Sequence, residues 1–440
     1  MNNRYIAFIH LLLFPALSAA TAKQPTVVYP TGMFPADVQN VQAAINQGGT
    51  VLLKATDSAG HPLAFNFGTL NDDAGVNIVN DVSITGELVG ANRTTIDGGV
   101  TPFLIFAGRN SIEGIKFDAP VFKAIRIRGS NGTSIIGNEI EHVVPRPGHI
   151  FSTADGIDVF PQVGRPASDI SGNLIVSGNT FGDLTGNFAI AIQVDSVAAN
   201  VTISNNTFQL GQLASDFGFV NSGAIACIRC HSAVTISGNT ITIGPGVVFD
   251  GIALIGGAQA RYNVIGNIIN SQGPFTDGID VVGIAGDPGP IVAAVIQNNS
   301  ITVHNAVNFF SGIGLFGAVS NSTIQGNTVM GDAGAALNAD EVFLGDLTDQ
   351  VLSNRFLFND IASVTVSGAH IFLGENTANN LIRGQCVDVI DLGVGNDISC
   401  PNPRSHVASF SNATRQQMLQ HALEAQSTVR ALATQRFSSF

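Results

Sequence analysis

Polar and apolar positions return along this chain in a fixed order. One short unit appears as TSIIGNEI, NLIVSGNTF, NVTISNNTF, AVTISGNTI, RYNVIGNII, AAVIQNNSI, NSTIQGNTV and a divergent QVLSNRFLF. The aligned asparagines are Asn138, Asn179, Asn206, Asn239, Asn267, Asn299, Asn327 and Asn354. Ahead of each copy stands a second alternation: AIRIR, GIDVF, AIAIQV, GAIACIR, GIALIG, GIDVVG, GIGLFG and, more weakly, EVFLG. Alternation with period two, rich in Ile and Val, predicts strands, and the Gly and Asn clusters between them predict turns. No helical pattern separates consecutive strands, so these are not strand-helix-strand units.

A unit that returns about every 30 residues is the signature of a solenoid, in which each repeat buries its apolar side only against its neighbours. The expected coil stacks each strand in parallel on its equivalent one repeat later, about 4.8 Å away. Its inward column reads Ile125, Ile157, Ile190, Ile225, Ile252, Ile279 and Ile313. The repeated Asn suits a tight bend, because it tolerates the left-handed region and its amide can bond to the Asn above and below.

Both ends depart from the repeat. Residues 1–22 have the layout of a secretory signal: Arg4, the apolar run IAFIHLLLFPAL, then small residues around Ala20-Thr21-Ala22. The segment PADVQNVQAAINQGGTVLL puts Val38, Val41 and Ile45 on one side of a helix, a cap over about residues 36–46. Residues 401–440 carry Met418, Leu419, Ala422, Leu423, Val429 and Leu432 at roughly helical spacing, which predicts a helical tail.

The order of G-I-x-V strand, polar turn and V-x-I-x-x-N-x-I strand resembles the repeat of the pectate lyase-like superfamily. The opening helix followed by Gly-Gly and a strand is similar to that superfamily's N-terminal cap. The resemblance covers roughly residues 30 to 395. It implies an all-β fold: one right-handed parallel β-helix over residues 23–400, between the helical cap and the helical tail. The superfamily holds lyases, hydrolases, epimerases and non-catalytic adhesins, so it implies a fold before an activity.

Composition narrows the partners. With 12% charged and 45% hydrophobic residues and 49 Gly, the chain is not disordered and must bury a long core. The net charge of −13 disfavours nucleic acid and anionic membrane surfaces. No stretch beyond the leader is long and apolar enough to span a bilayer, so we expect a secreted protein, periplasmic or extracellular, with no membrane insertion. Oxidising surroundings make disulfides an expectation for Cys227, Cys230, Cys386 and Cys400, and a Cys386–Cys400 bridge would close a late loop. The CIRC spacing has no second CxxC beside it, so neither a metal nor a redox centre is expected there.

Two acids bracket Gly-Ile in ADGIDV (154–159) and TDGIDV (276–281). In register, Asp155, Asp250 and Asp277 fall immediately before a Gly, where Asp favours turns. The next outward column reads Arg126, Asp158, Ala191, Ala226, Ala253, Asp280, Gly314, which leaves Asp280 in a notch that a sugar could occupy. Asp158 stands beside Arg126 and Arg128 as a surface ion link or a charge-binding group. The column after that, Arg128, Phe160, Gln193, Ile228, Ile255, Val282 and Phe316, forms an apolar stripe.

In polygalacturonase-like glycosidases N-T-D-G-I-D precedes an adjacent Asp pair, then G-H-G, then R-I-K. The two D-G-I-D stretches match the first motif in part, and the later motifs are absent. The resemblance points to polysaccharide as partner. For hydrolysis, which needs two carboxylates about 5 Å or about 6.5–9.5 Å apart, the candidates are Asp280 with Asp277 or Asp250, and Asp158. Arg126, Arg128, Gln193 and Asp155 are the candidates for substrate binding. A lyase would instead use a base such as Arg, Lys or His, among Lys123, Arg126, Arg128, His142, Arg146 and His149, with a calcium ion as the one cofactor in view. No cofactor is otherwise expected. The competing expectation is a non-catalytic extracellular binding or adhesion protein that uses the apolar stripe.

Overall fold

The structure is a computed structural model that describes residues 24–72, 74–145, 154–184, 189–210, 223–244, 248–257, 259–272, 275–286, 289–304, 311–333, 335–340, 349–361, 364–366, 370–384 and 389–399. The proposed signal segment, the tail after residue 399, Arg146, His149, Cys386 and Cys400 lie outside the described residues.

Among the described residues the strands form three long parallel sheets of 14, 11 and 12 strands, called here the first, second and third sheets. One turn of the coil runs from Ser130–Ile136 in the first sheet to Glu139–Glu141 in the second and Asp155–Val159 in the third. It then returns as Ile170–Ser177, stacked on Ser130–Ile136. Each strand bonds to its equivalents in the coils before and after it, as a parallel β-helix requires. The inward column of the first sheet, Ile112, Ile135, Val176, Ile203, Ile236 and Val264, is sealed from solvent. In the second sheet Phe181 and Phe208 stack with centroids 4.9 Å apart.

The N-terminal cap is the helix Ala36–Asn46, with Val41 and Ile45 buried and Val38 packed against the core. Asp37 fastens it. Buried in the first turn, its carboxylate accepts the Thr31 N–H at 2.7 Å, the Thr31 hydroxyl at 2.8 Å and the Asn66 N–H at 2.8 Å.

The predicted Asn ladder is present at the corner between the first and second sheets. Asn239 shows its logic: Oδ1 accepts both the N–H and the side-chain amide of Asn206 at 3.0 Å. Its own Nδ2 donates to Ile203 O at 3.0 Å and Asn267 Oδ1 at 2.9 Å. Each amide of this ladder finds its partners on the rungs before and after it, which offsets the cost of burying it. The left-handed residue, however, is the one before each ladder Asn, such as Gly178 (φ 65°), Asn205 (φ 55°) and Gly238 (φ 62°).

Asn354 does not continue this ladder. After Asn327 the next rung is Asn359, whose Oδ1 accepts the Asn327 N–H at 3.0 Å. Asn354 belongs to a second ladder, Ser322–Asn354–Asn380–Asn396, at the opposite end of the first-sheet strands. That corner arises because the later coils add a fourth short sheet, beginning with Ile291–Val292 and Val319–Ser320. In QVLSNRFLFND the left-handed position before Asn359 is Phe358 (φ 52°), so the usual Gly-Asn signal is missing.

Candidate functional site

The outer face of the third sheet carries the candidates. Its register is Arg126↔Asp158↔Gln193↔Ala226↔Ala253↔Asp280↔Gly314. Gln193 therefore replaces Ala191 in the column of Asp158, and Ile192 replaces Ile190 as the inward residue opposite Ile157 and Ile225. The strand IAIQVD repeats its pattern every second residue, so a slip of two leaves the alternation intact. Ile190 instead clusters with Ala226 and Ala253, with Ile255 packed against them. The adjoining stripe loses Gln193 and gains Asp195, beside Ile228, Ile255, Val282 and Phe316. Val282 is buried, while Ile228, Ile255 and Phe316 are half-buried.

At the N-terminal end the cations and acids pair across rungs. Lys123 and Asp155 form a buried ion pair, and the other Asp155 oxygen accepts the Ile190 N–H at 3.1 Å. Three residues along the same two rungs, Asp158 Oδ2 lies 3.0 Å from Arg126 Nε and 3.4 Å from Arg128 Nη2. Arg128 also donates to Phe160 O at 2.8 Å. Phe122 lies under both Lys123 and Arg126, at 4.6 and 5.3 Å from the ring centroid. Asp158 is buried, so this is not the exposed surface link that the sequence allowed. The Arg126 side chain, 21% exposed, is the more open of the two guanidiniums.

A second cluster was not visible in the sequence because it depends on the corrected register. Asp195 receives a bidentate contact from Arg229, Nε to Oδ1 at 3.0 Å and Nη2 to Oδ2 at 2.8 Å, and the Ser196 hydroxyl at 2.7 Å. Between the two ionic clusters stands Gln193, 9% exposed, whose Oε1 has no hydrogen-bond partner among the described residues.

Asp250 and Asp277 lie inside strands and Asp155 begins one, so none of the three sits in the turn before its strand. The Gly that follows is the constrained position. A Cβ on Gly278 would stand 2.6 Å from Gly312 O and 2.7 Å from Ile301 Cγ2, and one on Gly251 would stand 2.6 Å from Gly278 O. The D-G-I pattern is thus set by close approach of the next rung and the second sheet. Asp250 and Asp277 are side by side in register, and Asp280 follows beside Ala253. Asp250 and Asp280 are each 5% exposed. The notch expected beside Asp280 is partly filled: a Cβ on Gly314 would lie 2.3 Å from the Phe316 ring, which folds over that glycine.

The outer face of the second sheet brings together Asp118, Glu141 and His142, with ligand atoms within 4.8 Å of one another. His142 Nδ1 lies 2.7 Å from Asp118 Oδ1, and Lys116 donates to Glu141 at 2.8 Å. The Asp118 hydrogen bond raises the His142 pKa, and burial together with the Asp118 charge raises that of Asp97. This partly exposed group offers one nitrogen and two internally engaged carboxylates, which does not suit calcium, an ion that takes six to eight oxygens.

Cys227 and Cys230 form a buried disulfide. Among the described residues no helix is long and apolar enough to cross a membrane.

No known protein family and no curated protein matches the sequence. Solved structures resemble its fold. The A-module of the Azotobacter vinelandii mannuronan C-5 epimerase AlgE4 aligns over 88% of this chain and 98% of its own, at 14% identity and a TM-score of 0.44. The alginate lyase AlyF-OU02 with G6 aligns over 86% and 88%, at 17% identity and a TM-score of 0.47. The tailspike protein of E. coli bacteriophage HK620, in complex with a pentasaccharide, aligns over 85% and 69%, at 13% identity and a TM-score of 0.47. Likenesses this distant say nothing of activity, and the coil of this chain stands on its own strand pairings. That coil is a right-handed parallel β-helix.

Proposed function

We propose that the outer face of the third sheet is the working surface of an enzyme that acts on polysaccharide outside the cytoplasm. One observation carries this reading. Of the eight buried Asp and Lys side chains among the described residues, six belong to this one sheet: Lys123, Asp155, Asp158, Asp195, Asp250 and Asp280; Asp37 fastens the cap and Asp349 precedes the strand Val351–Leu352. Burying charge is expensive and contributes little net stability even when paired. Its concentration on one face of an otherwise repetitive solenoid therefore marks a site. The secretory leader pattern and the Cys227–Cys230 bridge support an oxidising compartment.

The reaction that fits best is glycoside hydrolysis. Lys123, Arg126, Arg128 and Arg229 are each held by a carboxylate, which suits binding and orientation better than the proton abstraction a lyase needs. Asp280 and Asp250 stand on adjacent rungs, three residues apart along the strand. At about 3.3 Å per residue and about 4.8 Å per rung, their Cα atoms are roughly 11 Å apart. Side chains reaching toward one another across that gap suit the wider carboxylate spacing, with water between acid and base. In this reading Asp280 and either Asp250 or Asp277 do the acid and base work. Phe316 offers a ring for a sugar to lie against, and Arg126, Arg128 and Gln193 orient the chain. Asp155 and Asp158 hold Lys123 and the arginines in place.

A second reading, a non-catalytic carbohydrate-binding or adhesion protein, is favoured by the burial of both Asp250 and Asp280. Incubating the secreted protein with neutral and acidic polysaccharides separates these readings. New reducing ends without unsaturated uronates support hydrolysis. Reducing ends together with ultraviolet absorbance mean a lyase, and retardation in polysaccharide gels without products means a binding protein.

A further inference from the structure

The Cys227–Cys230 bridge spans a sequence separation of only 3. A loop so short constrains the unfolded chain much less than a long one, so its main effect is local. What it encloses is Arg229, held at φ 50°, a region that residues other than Gly and Asn seldom adopt. The Arg229 N–H donates to Ile255 O at 2.8 Å, and its guanidinium grips both oxygens of Asp195 on the preceding rung. The partner turn is shaped to match: Ser196, also left-handed at φ 53°, donates its N–H to Ile228 O at 2.9 Å and its hydroxyl to Asp195. On the other side, the Tyr262 hydroxyl donates to Gly256 O at 2.6 Å. Gly257 leaves no room for a side chain, since a Cβ there would stand 2.5 Å from Cys230 O. Three successive rungs are thus fitted around one bridge.

We infer that the Cys227–Cys230 disulfide is a redox latch that keeps Arg229 on Asp195 at the rim of the candidate site. The importance of that rim for ligands rests on the proposed function; the latch itself does not. A dithiol such as dithiothreitol opens it in two exchanges. The first thiolate attacks one cysteine sulfur, forming a mixed disulfide and releasing the other cysteine as a thiolate. The second dithiothreitol thiol then closes its own cyclic disulfide and frees the remaining cysteine. Two electrons pass to the protein and two protons end on its sulfurs. Without the bridge the Arg229 backbone is free to leave the left-handed region, and the bidentate contact goes with it.

Amide hydrogen exchange tests this without any substrate, so a protein that acts on no polysaccharide still gives an answer. The oxidised protein, the reduced protein and Cys227→Ala/Cys230→Ala would be compared, each with and without Arg229→Gln. The latch predicts exchange at Arg229 and Ser196 at least ten-fold faster once the bridge is lost, with Val234–Ser237 unchanged. Arg229→Gln should then add less than two-fold, although it accelerates exchange when the bridge is intact. Exchange at Arg229 and Ser196 within two-fold of the oxidised protein after bridge loss would overturn the latch. So would an Arg229→Gln effect of equal size with and without the bridge. If the double alanine variant does not fold, the reduced wild-type protein decides by the same criteria.

Discussion

The asparagine corner and the third-sheet face both bury polar side chains, and they solve the problem in opposite ways. At the corner, one neutral amide per coil satisfies its neighbours, and Asn179, Asn206, Asn239, Asn267 and Asn299 make the same contacts in turn. On the third-sheet face the D-G-I backbone pattern recurs but the polar pairings differ from rung to rung: Lys123–Asp155, Asp158 with two arginines, Gln193, then Asp195–Arg229. A periodic solution is what stability asks of a solenoid. The aperiodic one costs desolvation and offers chemistry, which is why the site is sought there.

Substitutions can break this contrast. The largest loss is expected from Asn239→Ala, which strands the Asn206 N–H and amide on one side and Ile203 O on the other. At about 1–3 kcal/mol per buried orphan, denaturant unfolding should show about 4 kcal/mol or more. Lys123→Ala should cost about 3–5 kcal/mol by leaving Asp155 buried and charged, whereas Lys123→Met with Asp155→Asn, which keeps an acceptor for the Ile190 N–H, should recover most of it. Recovery would show that this face is not arranged for stability. An equal loss in the double variant would make the pair structural.

Gly278→Ala should cost about 1–3 kcal/mol from overpacking against Ile301 and Gly312 O. A neutral result would return the D-G-I pattern to turn chemistry. The smallest effect is expected at His142, whose folded pKa is raised by its bond to Asp118. A raised value means that its stabilisation is full below the ordinary 6.5 and is lost as pH climbs through the folded value. Comparing wild type with His142→Gln across that window should show the difference shrinking toward alkaline pH. A difference independent of pH would remove His142 from the account.

Much of the fold was legible because a solenoid writes its core into the sequence once per coil. The inward Ile column and the ladder carry a repeated signal, and each repetition corrects errors in the last; the capping helix was legible from its own apolar spacing. The failures fall where that redundancy ran out. IAIQVD permits a slip of two, which moved Gln193 by one column and hid Asp195. Phe358 took the place of the usual Gly, which disguised Asn359 behind Asn354. The Arg229–Asp195 contact and the Phe316 ring over Gly314 are tertiary facts that no local pattern encodes. The candidate residues were legible as a set of acids on one sheet, but not in their pairing.

If the third-sheet face is catalytic, the variant Asp280→Asn loses its acid or base. Its turnover would be measured by new reducing ends on whichever polysaccharide the wild type cleaves, with denaturant unfolding run alongside. A loss of about 100-fold or more is expected, the scale of removing a general acid or base, with the unfolding midpoint nearly unchanged. Turnover within a few-fold of wild type would contradict it and move the chemistry away from this face.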